Sequence, residues 1–266
     1  MYKLLNFFLR SNFFDKLPRF VTRKIFKIFK IFFVETDLNE LPINNHSANI
    51  DKAYQQRSVL QNNDEFYKPF NTCPYLLEIL AIYNSVNSGI KILDFGANNI
   101  DNYIYLNKHL KKFEYNYYDL PEHNNFILNL QKENKWDNIK VINDLYSIDN
   151  NIDFAFFGSS IHYVSDYKKK LDIIIKKNPK YFIFSHTPFF TSNKNNKDIV
   201  VKQVNIHPTI NYAYLLEYNN FIKFMEKNNY KLITKNKNNF IKFLNFKNFS
   251  NFSFLSFLDL IFIKNY

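Results

Sequence analysis

Short apolar runs alternate with longer segments of helical spacing from about residue 74 to the end of the chain. The runs have the length of buried strands and the segments between them the length of helices, so the alternation predicts a doubly wound α/β fold. The predicted strands cover 90–93, 113–118, 138–142, 152–157, 180–185, 231–234 and 258–264. The predicted helices cover about 74–88, 100–111, 122–134, 165–177 and 216–228.

The first 36 residues are aromatic and basic, and a helix over 18–34 would be amphipathic. One stripe of this helix is basic and comprises Arg19, Arg23, Lys27 and Lys30. The opposite face is apolar and comprises Val21, Ile25, Ile28 and Phe32. Such a helix either lies in the interface of an anionic membrane or docks on the rest of the protein or on a second subunit. The sequence leaves both interpretations open.

Residues 37–70 contain many polar residues and few periodic apolar ones, which predicts a linker or an irregular cap. We therefore divide the chain into an N-terminal segment, 1–73, and a domain, 74–266. Within the domain, the polar stretch 190–214 is predicted to be a substrate loop. An Asn/Phe/Lys-rich insertion at about 236–256 separates the last two strands.

Composition limits the choice of partners. Lys and Arg exceed Asp and Glu by 35 to 24, for a net charge of +11. This charge favours polyanions, yet the abundance of Asn, Lys, Ile, Phe and Tyr is also what an A/T-rich genome produces. The single cysteine excludes an intramolecular disulfide and a zinc site of several cysteines. The N-terminus has too many charges for a signal peptide, and 248–258 is shorter than the ~20 residues of a membrane helix. We expect a cytoplasmic protein, and contact of 18–34 with the inner membrane face is one of the two interpretations left open for this segment.

Polar and glycine residues follow the predicted strands. The chain has 3 glycines, so Gly96 directly after the first strand and Gly158 after the fourth are informative. Ligands of open parallel sheets lie beyond the carboxyl ends of the strands, where Asp94, Asp119 and Asn143 also stand. Asp119 lies 25 residues after Asp94, close to the ~20-residue offset at which an acid binds adenosine ribose. A turn or helix-cap role remains the alternative for each of these acids.

The segment Leu93-Asp94-Phe95-Gly96-Ala97-Asn98 resembles the cofactor loop of class I S-adenosylmethionine (SAM) methyltransferases. More narrowly, residues from about 74 to 264 resemble a family of SAM-dependent methyltransferases encoded among bacterial surface-glycan genes. The matching pieces are 93–97, Tyr118-Asp119-Leu120-Pro121, Gly158-Ser159-Ser160-Ile161-His162-Tyr163, 179–183, Thr187-Pro188-Phe189 and 258–264. The second and third glycines of the fullest form of this loop are absent.

This resemblance implies a Rossmann-like class I methyltransferase fold, with a mostly parallel seven-stranded sheet and an antiparallel last strand. It also implies SAM as cofactor. The residues that it places around SAM are Asp94, Gly96, Ala97, Asn98, Asp119, Leu120, Asn143, Asp144, Gly158, Ser159 and Ser160.

The loop itself favours SAM over NAD. A dinucleotide loop needs glycines so that backbone N–H groups can touch a pyrophosphate, and here a glycine position holds Asn98. Asp101 would also bring negative charge toward that phosphate. SAM has no phosphate and carries a sulfonium cation, so carboxylates are tolerated beside it.

The residues after the fourth and fifth strands face the transferable methyl group in this interpretation. Methyl transfer to a hydroxyl needs alignment and a base of near-neutral pKa, typically a histidine. The candidates are His186, His162 and Tyr163. No His/Asp/Glu cluster has convincing metal spacing, so no metal is expected.

The resulting prediction is a SAM-dependent methyltransferase that O-methylates a sugar or a surface-glycan precursor. The sugar comes only from the family resemblance. Two alternatives stay open: an RNA methyltransferase that exploits the positive charge, and a non-catalytic Rossmann-like binding protein with a degenerate loop. Nucleic acid is disfavoured as a DNA-base substrate because the Asn/Asp-Pro-Pro-aromatic tetrad of amine methylases is absent after the fourth strand. The sequence selects neither the acceptor nor an oligomeric state.

Overall fold

The computed structural model describes residues 17–18, 21, 24–25, 28, 32–42, 89–97, 100–192, 197–203, 211–237, 249 and 252–265. Four predicted features lie wholly or mainly outside these residues: the helix at 74–88, most of the cap at 37–70, Asn98, and the basic stripe of the N-terminal helix. Much of the predicted insertion at 236–256 lies outside them as well.

Five strands form the parallel part of the sheet: β2 (Ile90–Phe95), β3 (Phe113–Tyr118), β4 (Ile139–Ile142), β5 (Phe154–Gly158) and β6 (Tyr181–Thr191). They pair in the order β4-β3-β2-β5-β6. The chain therefore moves outward from β2 to β4 and then crosses back to β5 on the other side of β2. This reversal is a topological switch point, the place where open α/β sheets bind ligands.

Two further strands, joined by antiparallel ladders, complete the predicted sheet. Strand β10 (Phe254–Lys264) pairs with β6 on one side and with β9 (Tyr230–Lys237) on the other, antiparallel in both cases. The order β4-β3-β2-β5-β6-β10-β9 confirms the predicted mostly parallel sheet with an antiparallel last strand. The ladder between β10 and β9 reaches Lys237 and Leu258, so the hairpin extends into the region predicted as an insertion.

Within the described residues the sheet has ten strands, and the prediction of seven was wrong by three. Strands β1 (Phe33–Glu35), β7 (Ile199–Gln203) and β8 (Asn211–Glu217) are added beside the second half of β6. Strand β8 runs parallel to β6, with Phe189 opposite Leu216. The stretch 190–214, predicted as a loop, thus contains β7 and the start of β8. These strands are short and apolar on both faces, which removes the alternation that would have identified them.

The predicted helix at 18–34 ends before Phe33. Val21, Lys24, Ile25 and Ile28 are helical, whereas Phe33–Glu35 pairs with β7 as strand β1. Phe33 and Val34 are consecutive and both buried. A strand buries neighbouring side chains on opposite faces, which one face of a helix cannot do. The proposed division of the chain at residue 73 stays a prediction, and β1 from the N-terminal segment belongs to the same sheet.

The helices that the structure describes in the domain agree with the sequence prediction, and the helix predicted at 74–88 stays a prediction. The described helices are α1 (Asp101–His109), α2 (Pro121–Asn134), α3 (Tyr167–Lys176) and α4 (Tyr218–Lys227). Pro121 occupies the first turn of α2, where its missing N–H costs nothing. Glu217 caps α4 by accepting a hydrogen bond from the backbone N–H of Asn220 at 2.7 Å.

Apolar side chains cover both faces of the sheet. One core contains Leu93, Phe157, Phe184, Leu171 of α3 and Phe221 of α4. The other contains Ile92, Tyr115, Phe156, Leu106 of α1 and Ile127 of α2. A third cluster, which includes Phe33, Phe190 and Phe257, packs the added strands against the end of β6. Among the residues described above, no helix combines the length and apolar character that crossing a bilayer needs.

Candidate functional site

The carboxyl ends of the parallel strands lie side by side. Phe95 is opposite Tyr118, Tyr118 is opposite Ile142, and Gly158 is opposite Ser185. The loops after these strands therefore share one edge of the sheet. This edge brings together the sequence-predicted residues of all five strands.

The loop after β2 is built around Gly96. Its φ of +64° is in the left-handed region that favours glycine. Its N–H donates to the carbonyl of Tyr118 at 2.7 Å, and the N–H of Ala97 donates to the same oxygen at 3.4 Å. The absence of a side chain at Gly96 also serves the packing of the protein itself. The space of its missing Cβ is filled by Ser160, whose hydroxyl donates to the carbonyl of Phe95 at 2.6 Å.

Asp94 is buried, with 1% of its surface exposed. Its Oδ2 accepts a hydrogen bond from Asn102 Nδ2 at 3.0 Å and another from the hydroxyl of Tyr115. Its Oδ1 has no hydrogen-bond partner among the described residues. Burial raises the pKa of Asp94 to about 6, and the negative charge of Asp119 acts in the same direction. Asp94 is therefore a buried carboxyl with one oxygen left for a donor.

Asp119 follows β3 and its side chain is largely buried. Its Oδ1 accepts from the N–H of Leu120 at 2.7 Å and lies 3.0 Å from Nδ1 of His123. His123 was not predicted from the sequence, although its position four residues after Asp119 on a helix was a usable signal. These contacts are local, but Asp119 does not cap the helix, because the N-cap of α2 is Leu120 and no side chain caps it.

Asn143 and Asp144, after β4, take part in local hydrogen bonds. Asn143 Oδ1 accepts from Nδ2 of the buried Asn124 at 2.8 Å. Asp144 Oδ1 accepts from the N–H of Tyr146 at 3.0 Å and caps a short 3-10 turn, Leu145–Ser147. Both residues are exposed at the edge of the sheet. Their predicted contact with a cofactor stays a prediction.

The turn after β5 positions two of the candidate catalytic residues. Ser159, with φ +57°, donates its N–H to the carbonyl of Ser185 at 2.9 Å and so joins this turn to β6. His162 is fully buried, and neither ring nitrogen has a hydrogen-bond partner among the described residues. Burial, and secondarily the charge of His186, lowers the pKa of His162 well below its usual range. His162 is therefore a neutral imidazole.

Tyr163 is held from the added strands. Its hydroxyl donates to Oε1 of the buried Gln203, on β7, at 2.6 Å. Burial raises the pKa of Tyr163 above its ordinary value, so the phenol stays protonated. Its ring centroid lies 4.1 Å from that of His162. Gln203 was not predicted as a site residue because the sequence predicts a loop over 190–214.

His186 lies where β6 changes neighbours, between the end of β5 and the start of the ladder to β8. It has a φ of +46°, and its N–H donates to Asp259 Oδ1 at 2.8 Å. Its imidazole stacks on Phe257 with a centroid distance of 4.2 Å and an interplanar angle of 9°. Asp259 was also missed, although it is the only acid in the apolar strand β10, which was a signal for a functional role.

The edge of the sheet therefore has two chemically different halves. The half after β2 and β3 carries two neighbouring carboxyl groups, Asp94 and Asp119, which suit a cation with hydrogen-bond donors. The half after β5 and β6 carries two imidazoles and a phenol, which can orient a hydroxyl and accept its proton. The Gly96–Ser160 contact joins the halves. No group of three or more His, Cys, Asp or Glu side chains that could hold a metal ion occurs within the described ranges.

Comparison with known proteins finds similarity at the level of structure. No family model and no curated protein matches the sequence. The N-terminal domain of EvdMO1 with SAH bound is 10% identical with a TM-score of 0.51, covering 94% of this chain and 98% of that chain. The same domain in the presence of SAH and D-fucose is 10% identical with a TM-score of 0.50, covering 79% and 96%.

An S-adenosylmethionine-dependent methyltransferase from Clostridium acetobutylicum is also similar, at 12% identity and a TM-score of 0.49, with 81% of this chain and 99% of that chain covered. The strand order and the similarity to EvdMO1 concern the whole domain and not one motif. The chain has the Rossmann-like fold of class I SAM-dependent methyltransferases.

Proposed function

We propose that this protein transfers a methyl group from SAM to a hydroxyl of a sugar or a surface-glycan precursor. The observation that carries the proposal is the division of one sheet edge into a carboxylate half and an imidazole half within a class I methyltransferase fold. The carboxylate half would hold the cofactor, and the imidazole half would hold the acceptor.

The carboxylate half matches the chemistry of SAM. Asp94 Oδ1 is a buried acceptor without a partner among the described residues, and a buried unsatisfied acceptor is costly. The ammonium group of SAM is a donor that would satisfy it. Asp119, next along the edge, would accept from the ribose hydroxyls. A phosphate would meet repulsion here, because Asp94 and Asp119 are close enough for the charge of one to raise the pKa of the other.

The remaining loop residues would complete the cofactor site. They supply backbone groups and short polar side chains around the two acids, and we assign to this set Gly96, Ala97, Asn98, Leu120, Asn143, Asp144, Gly158, Ser159 and Ser160. Ser160 would act through its contact with Gly96, because its hydroxyl is already bonded to the carbonyl of Phe95.

The imidazole half matches the needs of an acceptor hydroxyl. Bound SAM supplies an electrophilic methyl group on a sulfonium, so the chain's own residues need only align an oxygen and remove its proton. His186 is the better candidate for the base because it is partly exposed, whereas His162 is fully buried. Tyr163, held by Gln203 as a protonated phenol, would orient the acceptor. In this proposal, the imidazole of His186 accepts the proton of the acceptor hydroxyl.

Two considerations support a sugar acceptor. The sequence resembles methyltransferases of surface-glycan gene clusters in the loops that form this edge. In addition, the EvdMO1 domain was crystallised in the presence of SAH and D-fucose. A protein of the same fold has therefore been studied together with a sugar. We extend this acceptor class to the present chain by analogy.

A transfer assay tests the proposal. Purified protein is incubated with SAM and a panel of sugars, sugar nucleotides and lipid-linked sugars, and products are detected by a mass increase of one methylene. Methylation of an RNA instead, with binding that weakens steeply with salt, would favour the RNA methyltransferase. SAM binding without transfer to any acceptor would favour the non-catalytic binding protein.

We further propose that the helical part of 18–34, which ends before Phe33, attaches the protein reversibly to the inner surface of an anionic membrane. Lys24 is exposed, and 73% of the surface of Ile28 is exposed on the predicted apolar face of the helix. Phe32, by contrast, is buried against Phe257 and anchors the end of this segment to the sheet. Membrane attachment would bring a cytoplasmic enzyme to a lipid-linked acceptor.

A further inference from the structure

Strand β10 contains a buried carboxylate at a β-bulge in its ladder with β6. The register places Leu258 opposite Thr187 and Leu260 opposite Phe184. Asp259 alone therefore faces two residues of β6, Ser185 and His186. A bulge of this kind re-aims side chains locally and is frequent beside active sites.

Asp259 holds both bulge residues with the same oxygen. Its Oδ1 accepts from the hydroxyl of Ser185 at 2.8 Å and from the backbone N–H of His186 at 2.8 Å. Only 4% of the surface of Asp259 is exposed. Its carboxylate thus faces the backbone of β6. It does not face the carboxyl ends of the parallel strands, where the methyl acceptor would bind.

The bulge fixes an otherwise unfavourable conformation of His186. A φ of +46° is costly for a residue with a Cβ, and such conformations persist only where the surroundings determine them. Here β10 supplies two determinants: the carboxylate of Asp259 on the backbone N–H and the ring of Phe257 on the imidazole. The resulting orientation brings the imidazole of His186 close enough to His162 for its charge to contribute to the lowered pKa of His162.

We propose that Asp259 is a positioning residue that sets the direction of the His186 imidazole toward the acceptor. This inference rests on the proposed function, since it assigns a task to the base of that reaction. To hold His186 in this way, residue 259 needs a side-chain oxygen that accepts hydrogen bonds, and it does not need a negative charge. Asparagine, which keeps an oxygen in the side chain, should therefore replace Asp259 better than alanine.

The test uses the full chain and follows the histidine side chains by NMR, with the His186 signal assigned from His186→Gln. Asp259→Ala should displace the His186 imidazole resonance and its titration midpoint, while Asp259→Asn should keep the resonance near that of the wild type. With an acceptor from the transfer assay, Asp259→Ala should lower kcat about 100-fold with KM little changed, the scale of a misplaced reacting group. Asp259→Asn should recover most of kcat.

A matched control separates positioning from general stability. Asp153 is also a buried carboxylate that accepts a backbone N–H, from Lys91 at 2.9 Å, but it lies at the opposite end of the strands. Asp153→Ala should lower the unfolding temperature without moving the His186 signal. Where Asp259→Ala does not fold, Asp259→Glu keeps the charge, displaces the oxygen by one methylene, and should move the His186 signal in its place.

The outcomes are distinguishable. A folded Asp259→Ala or Asp259→Glu protein with unchanged His186 resonance, midpoint and kcat would overturn the inference. Equal losses in the asparagine and alanine variants would also overturn it, because they would indicate a role for the charge. The proposed function fails separately, through absence of SAM binding in the wild-type protein, and the NMR comparison does not depend on that result.

Discussion

The side chain of Ser160 occupies the space that a side chain on Gly96 would need. A Cβ placed on Gly96 would lie 2.5 Å from the Cβ of Ser160. The contact joins the loop after β2 to the turn after β5, across the switch point of the sheet. The glycine directly after β2 is required by the protein's own packing as well as by its backbone conformation.

Gly96→Ala should destabilise the protein through two effects. The left-handed conformation costs roughly 1–2 kcal/mol for a residue with a Cβ, and overpacking typically costs ~1–3 kcal/mol. We expect a loss of about 2–5 kcal/mol in the free energy of unfolding, measured by urea denaturation. Gly89→Ala is the control, because its nearest neighbour is the carbonyl of Lys112 at 4.0 Å and no clash results. A Gly96→Ala protein as stable as Gly89→Ala would contradict the packing argument.

Asp94 should make the stability of the ligand-free protein depend on pH. Its pKa rises from 3.8 to about 6 on folding, so the folded state binds the proton more tightly than the unfolded state. Its contribution to stability is therefore lost as pH rises from about 4 to 6, a difference of ~3 kcal/mol on the scale of 1.36 kcal/mol per pKa unit. Denaturation of wild type and Asp94→Asn at several pH values measures the difference. If the two curves stay parallel through this window, the buried carboxyl titrates normally.

Tyr115→Phe provides a second check on the same carboxyl. The hydroxyl of Tyr115 donates to Asp94 Oδ2 and favours the ionised form. Its removal should raise the pKa of Asp94 further and shift the pH window upward. A downward shift would show that this hydrogen bond does not stabilise the carboxylate.

Asp119→Ala should weaken SAM binding by about 1.5–3 kcal/mol, the scale of hydrogen bonds to a charged group. Calorimetry measures this change. Because Asp119 also contacts His123, the variant His123→Gln is the control for a purely structural effect. Unchanged SAM affinity in Asp119→Ala would place the ribose-binding acid elsewhere.

The N-terminal helix should bind anionic vesicles in a salt-dependent manner. Each basic residue near such a surface contributes on the order of 1 kcal/mol and is screened by salt. Truncation before Asp37 would remove β1 from the sheet, so the better variant replaces Arg19, Arg23, Lys27 and Lys30 by glutamine. This variant should stay in solution in vesicle co-sedimentation at low salt yet bind SAM normally. Equal sedimentation of both proteins would favour docking of the helix on the protein itself.

The parts of the fold that the sequence predicted have local causes. Strand β3 was predicted with its observed bounds because an apolar-rich run is followed by Asp119 and by Pro121, which starts α2. Strands β1 and β7 were missed because neither has a local pattern of its own. Strand β1 pairs with β7, and even the pair nearest along the chain, Glu35 and Val201, is 166 residues apart. Strand β7 is held between β1 and β8.

The candidate site divides in the same way. Residues directly after the predicted strands, such as Asp94 and His186, were identifiable from position alone, although the observed strands β2 and β6 extend far enough to include them. Their partners, Tyr115, Gln203 and Asp259, depend on strand register, which the sequence does not display. The contact between Gly96 and Ser160 was not predicted either, because the two residues are 64 positions apart in the chain.

Binding of SAM, SAH and NAD to the purified protein, measured by calorimetry, tests the central claim most directly. The carboxylate half of the site predicts that SAM and SAH bind, and that NAD, with its pyrophosphate, does not. Binding of SAM should also weaken below about pH 6, where Asp94 becomes protonated. Micromolar binding of NAD with no signal for SAM or SAH would contradict the account.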